Sequence, residues 1–146
     1  MRHLPRLLAA YAILLLAGLP PLAGAQQAER FGDYEIHYSA MPTGLLNPAV
    51  AADYGILRSR SKALLMVTIL HQGESVSGAV DARIQENDDP PTEIEMRRVR
   101  DDGWVSYIGT FDFEPGRGLN FAIMANPHAE GGPFQLAFRQ ALHQPE

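Results

Sequence analysis

The residue types that could do chemistry are spread thinly along this chain. His37, His71, His128 and His143 lie in its body, and no two of them fall at the i, i+2 or i, i+4 spacing at which a strand or helix usually presents metal ligands. Glu35 and His37 alternate on one stretch and would share a strand face, which could seed a two-ligand site; the ordinary reading is a solvated histidine beside a glutamate. Neither a metal nor any other cofactor is expected. Asp88-Asp89 and Asp101-Asp102 each border Pro or Gly and lack the ordered Asp/Asn/Gly spacing of a calcium loop, so they read as turn formers.

Nucleophile signatures are equally sparse. No serine stands in G-x-S-x-G, and Ser75-Val76-Ser77-Gly78 only resembles the end of that pattern, at the start of a strand. No glycine-rich phosphate loop precedes a helix. A Ser/His/Asp set is assembled in space, so a cofactor-free hydrolase stays a third choice with no member nominated ahead of the others. The balance leans away from an enzyme.

One cluster invites a binding reading. Arg58, Arg60 and Lys62 form a basic run, with Tyr54 shortly before it. The planar fork of arginine suits an anionic group. Tyr54, Arg58 and Arg60, with His37 nearby, are therefore the candidate ligand- or partner-binding residues; the competing reading is an extended segment whose charges face water. Arg97, Arg98 and Arg100 interleave with Glu93, Glu95, Asp101 and Asp102, a pattern of surface ion pairing.

The chain has 146 residues, 12 Lys+Arg against 17 Asp+Glu, a formal net charge of −5 and no cysteine. That length is one domain's worth. The acidic balance argues against nucleic acid as a partner, because non-specific binding needs a basic footprint. Zero cysteine excludes disulfides, thiolate zinc, iron–sulfur clusters and cysteine nucleophiles.

The first twenty-five residues read as an address. Arg2 and Arg6 precede an apolar run from Leu7 to Leu19, Pro20-Pro21 breaks it, and Ala23-Gly24-Ala25 supplies a small-residue cleavage site. The run is too short to span a bilayer, which needs roughly 20 apolar residues. Cleavage after Ala25 is expected, giving a periplasmic domain of residues 26–146 with no membrane span.

Most of that domain alternates with period two, the signature of strands. Tyr34, Ile36 and Tyr38 share a face. Leu64 to Leu70 is a nearly continuous apolar run, with Leu65, Val67 and Ile69 as its core face because Thr68 interrupts the other. Val76 to Ile84 alternates, with Val76, Val80, Ala82 and Ile84 inward and Ser77, Asp81, Arg83 and Gln85 outward. Ile94 and Met96 open a strand whose phase changes near Arg97–Val99, the mark of a bulge. Trp104 to Phe111, Leu119 to Met124 and Phe134 to Arg139 complete the set; the inner face of the first of these is not readable. The alternating aromatics Tyr34, Tyr38, Phe121, Phe134 and Phe138 are core fillers. Asn47-Pro48 before Ala49–Asp53, with Gly55 after, marks one short helix covering an edge or end of the fold. The expected architecture is an all-β, immunoglobulin-like β-sandwich of about seven antiparallel strands with one short helix, a small closed β-barrel being the alternative.

The stretches Phe31-Gly32-Asp33-Tyr34-Glu35-Ile36-His37-Tyr38, Leu46-Asn47-Pro48-Ala49-Val50-Ala51, Tyr54-Gly55-Ile56-Leu57-Arg58-Ser59 and Lys62-Ala63-Leu64-Leu65 together resemble a family of short exported Gram-negative bacterial proteins, known only as a domain of unknown function numbered forty-four twenty-six. The resemblance implies export and a single compact domain, and brings no catalytic residue or cofactor with it. The functional expectation is a non-catalytic interaction or accessory module of the cell envelope, with the irregular segment Ser39–Lys62 as its contact region. A binder of a small anionic headgroup is the alternative.

Overall fold

The computed structural model describes residues 26–128 and 132–144. The expected secretory leader, residues 1–25, lies outside the described residues, as do residues 129–131 and 145–146. Ten strands form two antiparallel sheets among the described residues. One sheet carries β1 (Gln27–Phe31), β2 (Tyr34–Pro42), β3 (Lys62–His71), β8 (Trp104–Asp112) and β7 (Arg97–Asp101) in that order, with the two-residue β4 (Glu74–Ser75) also on β3. The other carries β10 (Phe134–Ala141), β9 (Gly118–Asn126), β5 (Ala79–Glu86) and β6 (Thr92–Ile94). The sheets face each other as a sandwich, and no barrel closes among the described residues.

The core follows from the alternation. Ile36, Tyr38, Leu65, Val67, Ile69 and Tyr107 of the first sheet meet Ile84, Leu119, Phe121, Ile123, Phe134 and Leu136 of the second, all buried. Aromatic rings span the gap: Phe138 meets Tyr38 at 4.6 Å, Phe31 stacks on Phe134 at 4.8 Å, and Phe121, itself stacked at 4.5 Å on its cross-strand partner Phe138, meets Phe111 edge-on at 5.5 Å. The strand β3 reads as continuously apolar because it is covered on both faces. Leu65, Val67 and Ile69 point between the sheets, while Leu64 packs outward with Ala51, Ile56 and Ile108. The same double covering makes β8 unreadable: Val105, Tyr107 and Phe111 face inward, and Ser106 and Ile108 are buried on the other side.

Helix α1 (Pro48–Asp53) is built as its punctuation dictates. Asn47 Oδ1 accepts from the Ala49 N–H at 2.9 Å, Pro48 takes the first helical position, and Gly55 turns the chain at φ +65°. It does not cover an edge or end: Ala51 and Ile56 seat it on the outer face of the six-stranded sheet.

The phase change after Ile94 is a change of sheet rather than a bulge. β6 pairs with β5 in one sheet and β7 pairs with β8 in the other, so Glu95-Met96 carries the chain across the sandwich. A second crossing, Val76–Gly78, lies where the spacing predicts the first residues of a strand that begins only at Ala79, and it is held by one side chain. The buried Tyr107 hydroxyl donates to the Gly78 carbonyl and accepts from the Gly78 N–H, both at 2.7 Å. Tyr107→Phe leaves both backbone groups without that partner, and the expected cost is about 1–3 kcal/mol. Urea unfolding checks this; an unchanged midpoint would show that the latch contributes nothing.

Candidate functional site

The outer face of the six-stranded sheet is divided by α1. Where the helix sits, the sheet presents Leu64 and Ile108. Beside it, the face becomes polar along one cross-strand row. His37 lies opposite Thr68, and Thr68 Oγ1 and Ser106 Oγ share a hydrogen bond at 2.7 Å, with Ser106 opposite Val99. Thr68 is 3% and Ser106 6% exposed, so this pair satisfies itself in a dry setting.

A hollow of about 230 Å³ opens over that pair, lined by Tyr54 from the helix end, Met66 and Thr68 from β3, Trp104 and Ser106 from β8, and Asp101 from β7. A second hollow of about 330 Å³ adjoins it through Tyr54, Val99 and Asp101 and reaches Val50, Arg97 and Arg100. A third, of about 500 Å³, continues from Arg97 past Leu57, Leu64 and Ile108. Trp104 is 46% exposed and Leu57 82%.

The electrostatics set Tyr54 as a donor. Its phenol is pushed above the ordinary 10.0, first by burial and then by the negative charge and hydrogen-bonding of Asp101, to which it donates at 3.4 Å. The folded chain thus holds this proton more tightly than the unfolded chain. The resulting stability is complete below pH 10 and is lost as pH rises past it. The phenolate absorbance lost in Tyr54→Phe should therefore titrate above pH 10, and titration at or below 10 would contradict the Asp101 contact. Tyr38 is pushed the same way, by burial and then by Glu29.

The residues singled out by sequence are dispersed. Tyr54 is the C-cap of α1, and its carbonyl accepts from the Arg97 guanidinium, a cation set against the negative end of the helix. Arg58 instead donates to the Gly44 carbonyl at 2.9 Å, Arg60 is exposed with its carbonyl accepting from Gln144, and Lys62 pairs with Asp112 at 2.7 Å. The hollows that Tyr54 lines include neither Arg58, Arg60 nor His37. The Nε2 of His37 is 2.8 Å from Glu35 Oε1 without making a hydrogen bond to it, and Arg30 approaches the other Glu35 oxygen at 3.3 Å. Among the described residues no group of three or more His, Cys, Asp or Glu is placed to hold a metal ion. Arg97, Arg98 and Arg100 form no ion pair among the described residues, contrary to their interleaved sequence; Arg97 serves the helix end instead.

Sequence spacing does not single out Trp104, Ser106, Thr68 and Asp101 as one site. Their one visible signal is Thr68, the polar interruption on an otherwise apolar strand face, and it gains meaning only from the pairing that brings Ser106 beside it.

The family model described as "Domain of unknown function (DUF4426)" matches residues 28–144. The chain belongs to the DUF4426 family. Among solved structures, a DUF4426 family protein from Pseudomonas aeruginosa PAO1 is similar at 27% identity and a TM-score of 0.71, over 83% of this chain and 97% of that one. A copper-bound variant of FetP from uropathogenic Escherichia coli strain F11 is similar at 12% identity and a TM-score of 0.55, over 82% of this chain and 94% of that one; this likeness shows a shared fold alone. No curated protein matches. No helix among the described residues of this DUF4426 protein is long and apolar enough to cross a membrane.

Proposed function

We propose that this DUF4426 protein is an exported, non-catalytic accessory module of the cell envelope that binds through the outer face of its six-stranded sheet. One observation carries the reading. Val50, Leu57 and Trp104, three of its exposed large apolar residues, all line the adjoining hollows on that face. The exposed side of a sheet is ordinarily polar, and concentrated apolar exposure marks binding surfaces. Two of the three, Val50 and Leu57, come from the Ser39–Lys62 segment.

The hydroxyl geometry favours binding over hydrolysis. Thr68 and Ser106 bond to each other, Ser59 to Ser61, and Ser75 to the Val105 N–H; among the described residues no hydroxyl bonds to a histidine. A nucleophile needs its base within hydrogen-bond reach. The leader supports export through its basic start, apolar run and Ala23-Gly24-Ala25.

The test is native mass spectrometry of the protein recovered gently from the periplasm of its own cells. The expected result is a chain beginning at Gln26 that carries a discrete extra mass, either a small molecule or a stoichiometric protein. An unprocessed chain would contradict the export reading, and a bare monomer would contradict the binding reading.

A further inference from the structure

The hollow of about 230 Å³ over Thr68 and Ser106 has a lining of one sign. Asp101 is its only charged residue among those described; the rest are two aromatics, two hydroxyls, a thioether, Val99 and Gln26. No lysine, arginine or histidine among the described residues lines it. Asp101 makes one long hydrogen bond, from Tyr54 at 3.4 Å, and no ion pair among the described residues. Trp104 and Tyr54 add π faces, which attract cations through the ring quadrupole. Thr68 and Ser106 use one proton between them, so oxygen lone pairs stay free to accept.

From this lining we infer that the hollow is a binding site for a small organic ammonium. This rests on the proposed binding face and names the ligand chemistry of its polar end. The cation sits against Asp101 and the π faces, any N–H groups it carries bond to the carboxylate and hydroxyl oxygens, and its apolar part lies against Trp104 and Met66. A volume of about 230 Å³ suits an amine of a few carbons. The overall charge of −5 adds a field that draws cations rather than anions. Arg97 and Arg100 lie in the neighbouring hollow, where they keep the cation at the Asp101 end.

The chain supplies its own reporter, because Trp104 is its single tryptophan. The purified chain is titrated with butylammonium and with choline, and with butanol as the uncharged isostere, while Trp104 emission is read. The expected result is a saturable shift with one or both ammonium probes, no shift with butanol, and at least a tenfold loss of ammonium affinity in Asp101→Asn. The fold of that variant is checked by its unfolding midpoint, and Asp101→Glu should restore part of the response. A shift as large with butanol, an undiminished response in Asp101→Asn, or no response to either ammonium would overturn the inference. Each of those results leaves the wider binding reading standing if the natively recovered chain still carries its extra mass.

Discussion

Phe121→Ala is expected to remove about 3–5 kcal/mol of unfolding free energy, the range for deleting a fully buried aromatic. Phe121 is 1% exposed and sits in the core between the two sheets. Its ring stacks on Phe138 at 4.5 Å with the planes 5° apart and meets Phe111 edge-on at 5.5 Å. Removing it opens a void against both sheets and breaks the ring contacts together. A domain's whole stability is about 5–15 kcal/mol, so the variant should be largely unfolded on modest warming or in low denaturant. Urea unfolding followed by far-ultraviolet circular dichroism reads the loss. The comparison is Leu57→Ala, whose side chain is 82% exposed and whose midpoint should move little. Equal midpoints for the two variants would show that the inter-sheet rings do not hold the sandwich.

Gly109→Ala is the second large effect, and its cause is the opposite one. Gly109 lies on β8 beneath the chain where it crosses from one sheet to the other. A Cβ there would stand 2.7 Å from the Glu95 carbonyl oxygen, from Ile94 Cγ2 and from Met96 Sδ. The methionine could swing aside, but the carbonyl is backbone and moves only with the whole crossing. Overpacking of this kind costs about 1–3 kcal/mol, and here the crossing that joins β6 to β7 is displaced as well. The expected outcome is a lowered unfolding midpoint together with a loosened outer face, seen as changed Trp104 emission. An unchanged midpoint would mean that the crossing does not press on β8.

What can be read in the sequence is whatever one strand states by itself. The inward set Leu65, Val67 and Ile69, the alternation of β5, β9 and β10, and the Asn47-Pro48 helix start all depend on local spacing, and all hold in the structure. The spacing predicts about seven strands where ten form among the described residues. β1 escapes the pattern because Gln27–Phe31 is exposed or half-buried and shows no apolar face; its only mark is Gly32, at φ +60° in the turn to β2. β4 is too short to carry a pattern. The Ile94–Asp101 stretch reads as one bulged strand because a change of sheet and a bulge both shift the phase.

The candidate site is less legible for the same reason. Sequence proximity groups Tyr54 with Arg58 and Arg60, yet its spatial neighbours are Arg97 and Asp101, on a strand more than forty residues later. Arg58 is free to be a ligand fork in sequence and is tied to Gly44 in space. Thr68 and Ser106 become one polar step only through the register of β3 against β8. Chain proximity shows a cluster of charges; sheet order decides which charges share a surface.

The central claim is that the outer face of the six-stranded sheet is the binding face. The opposite sheet offers a fair control, since it carries its own hollow of about 570 Å³ over Ala122, Met124 and Ala137. The most direct measurement compares wild type, Trp104→Ala and Ala122→Arg, each recovered from the periplasm and weighed under native conditions. Binding at the six-stranded sheet predicts that the extra mass is lost from Trp104→Ala and kept by Ala122→Arg. Retention by Trp104→Ala with loss from Ala122→Arg would contradict the claim and move the site to the other sheet.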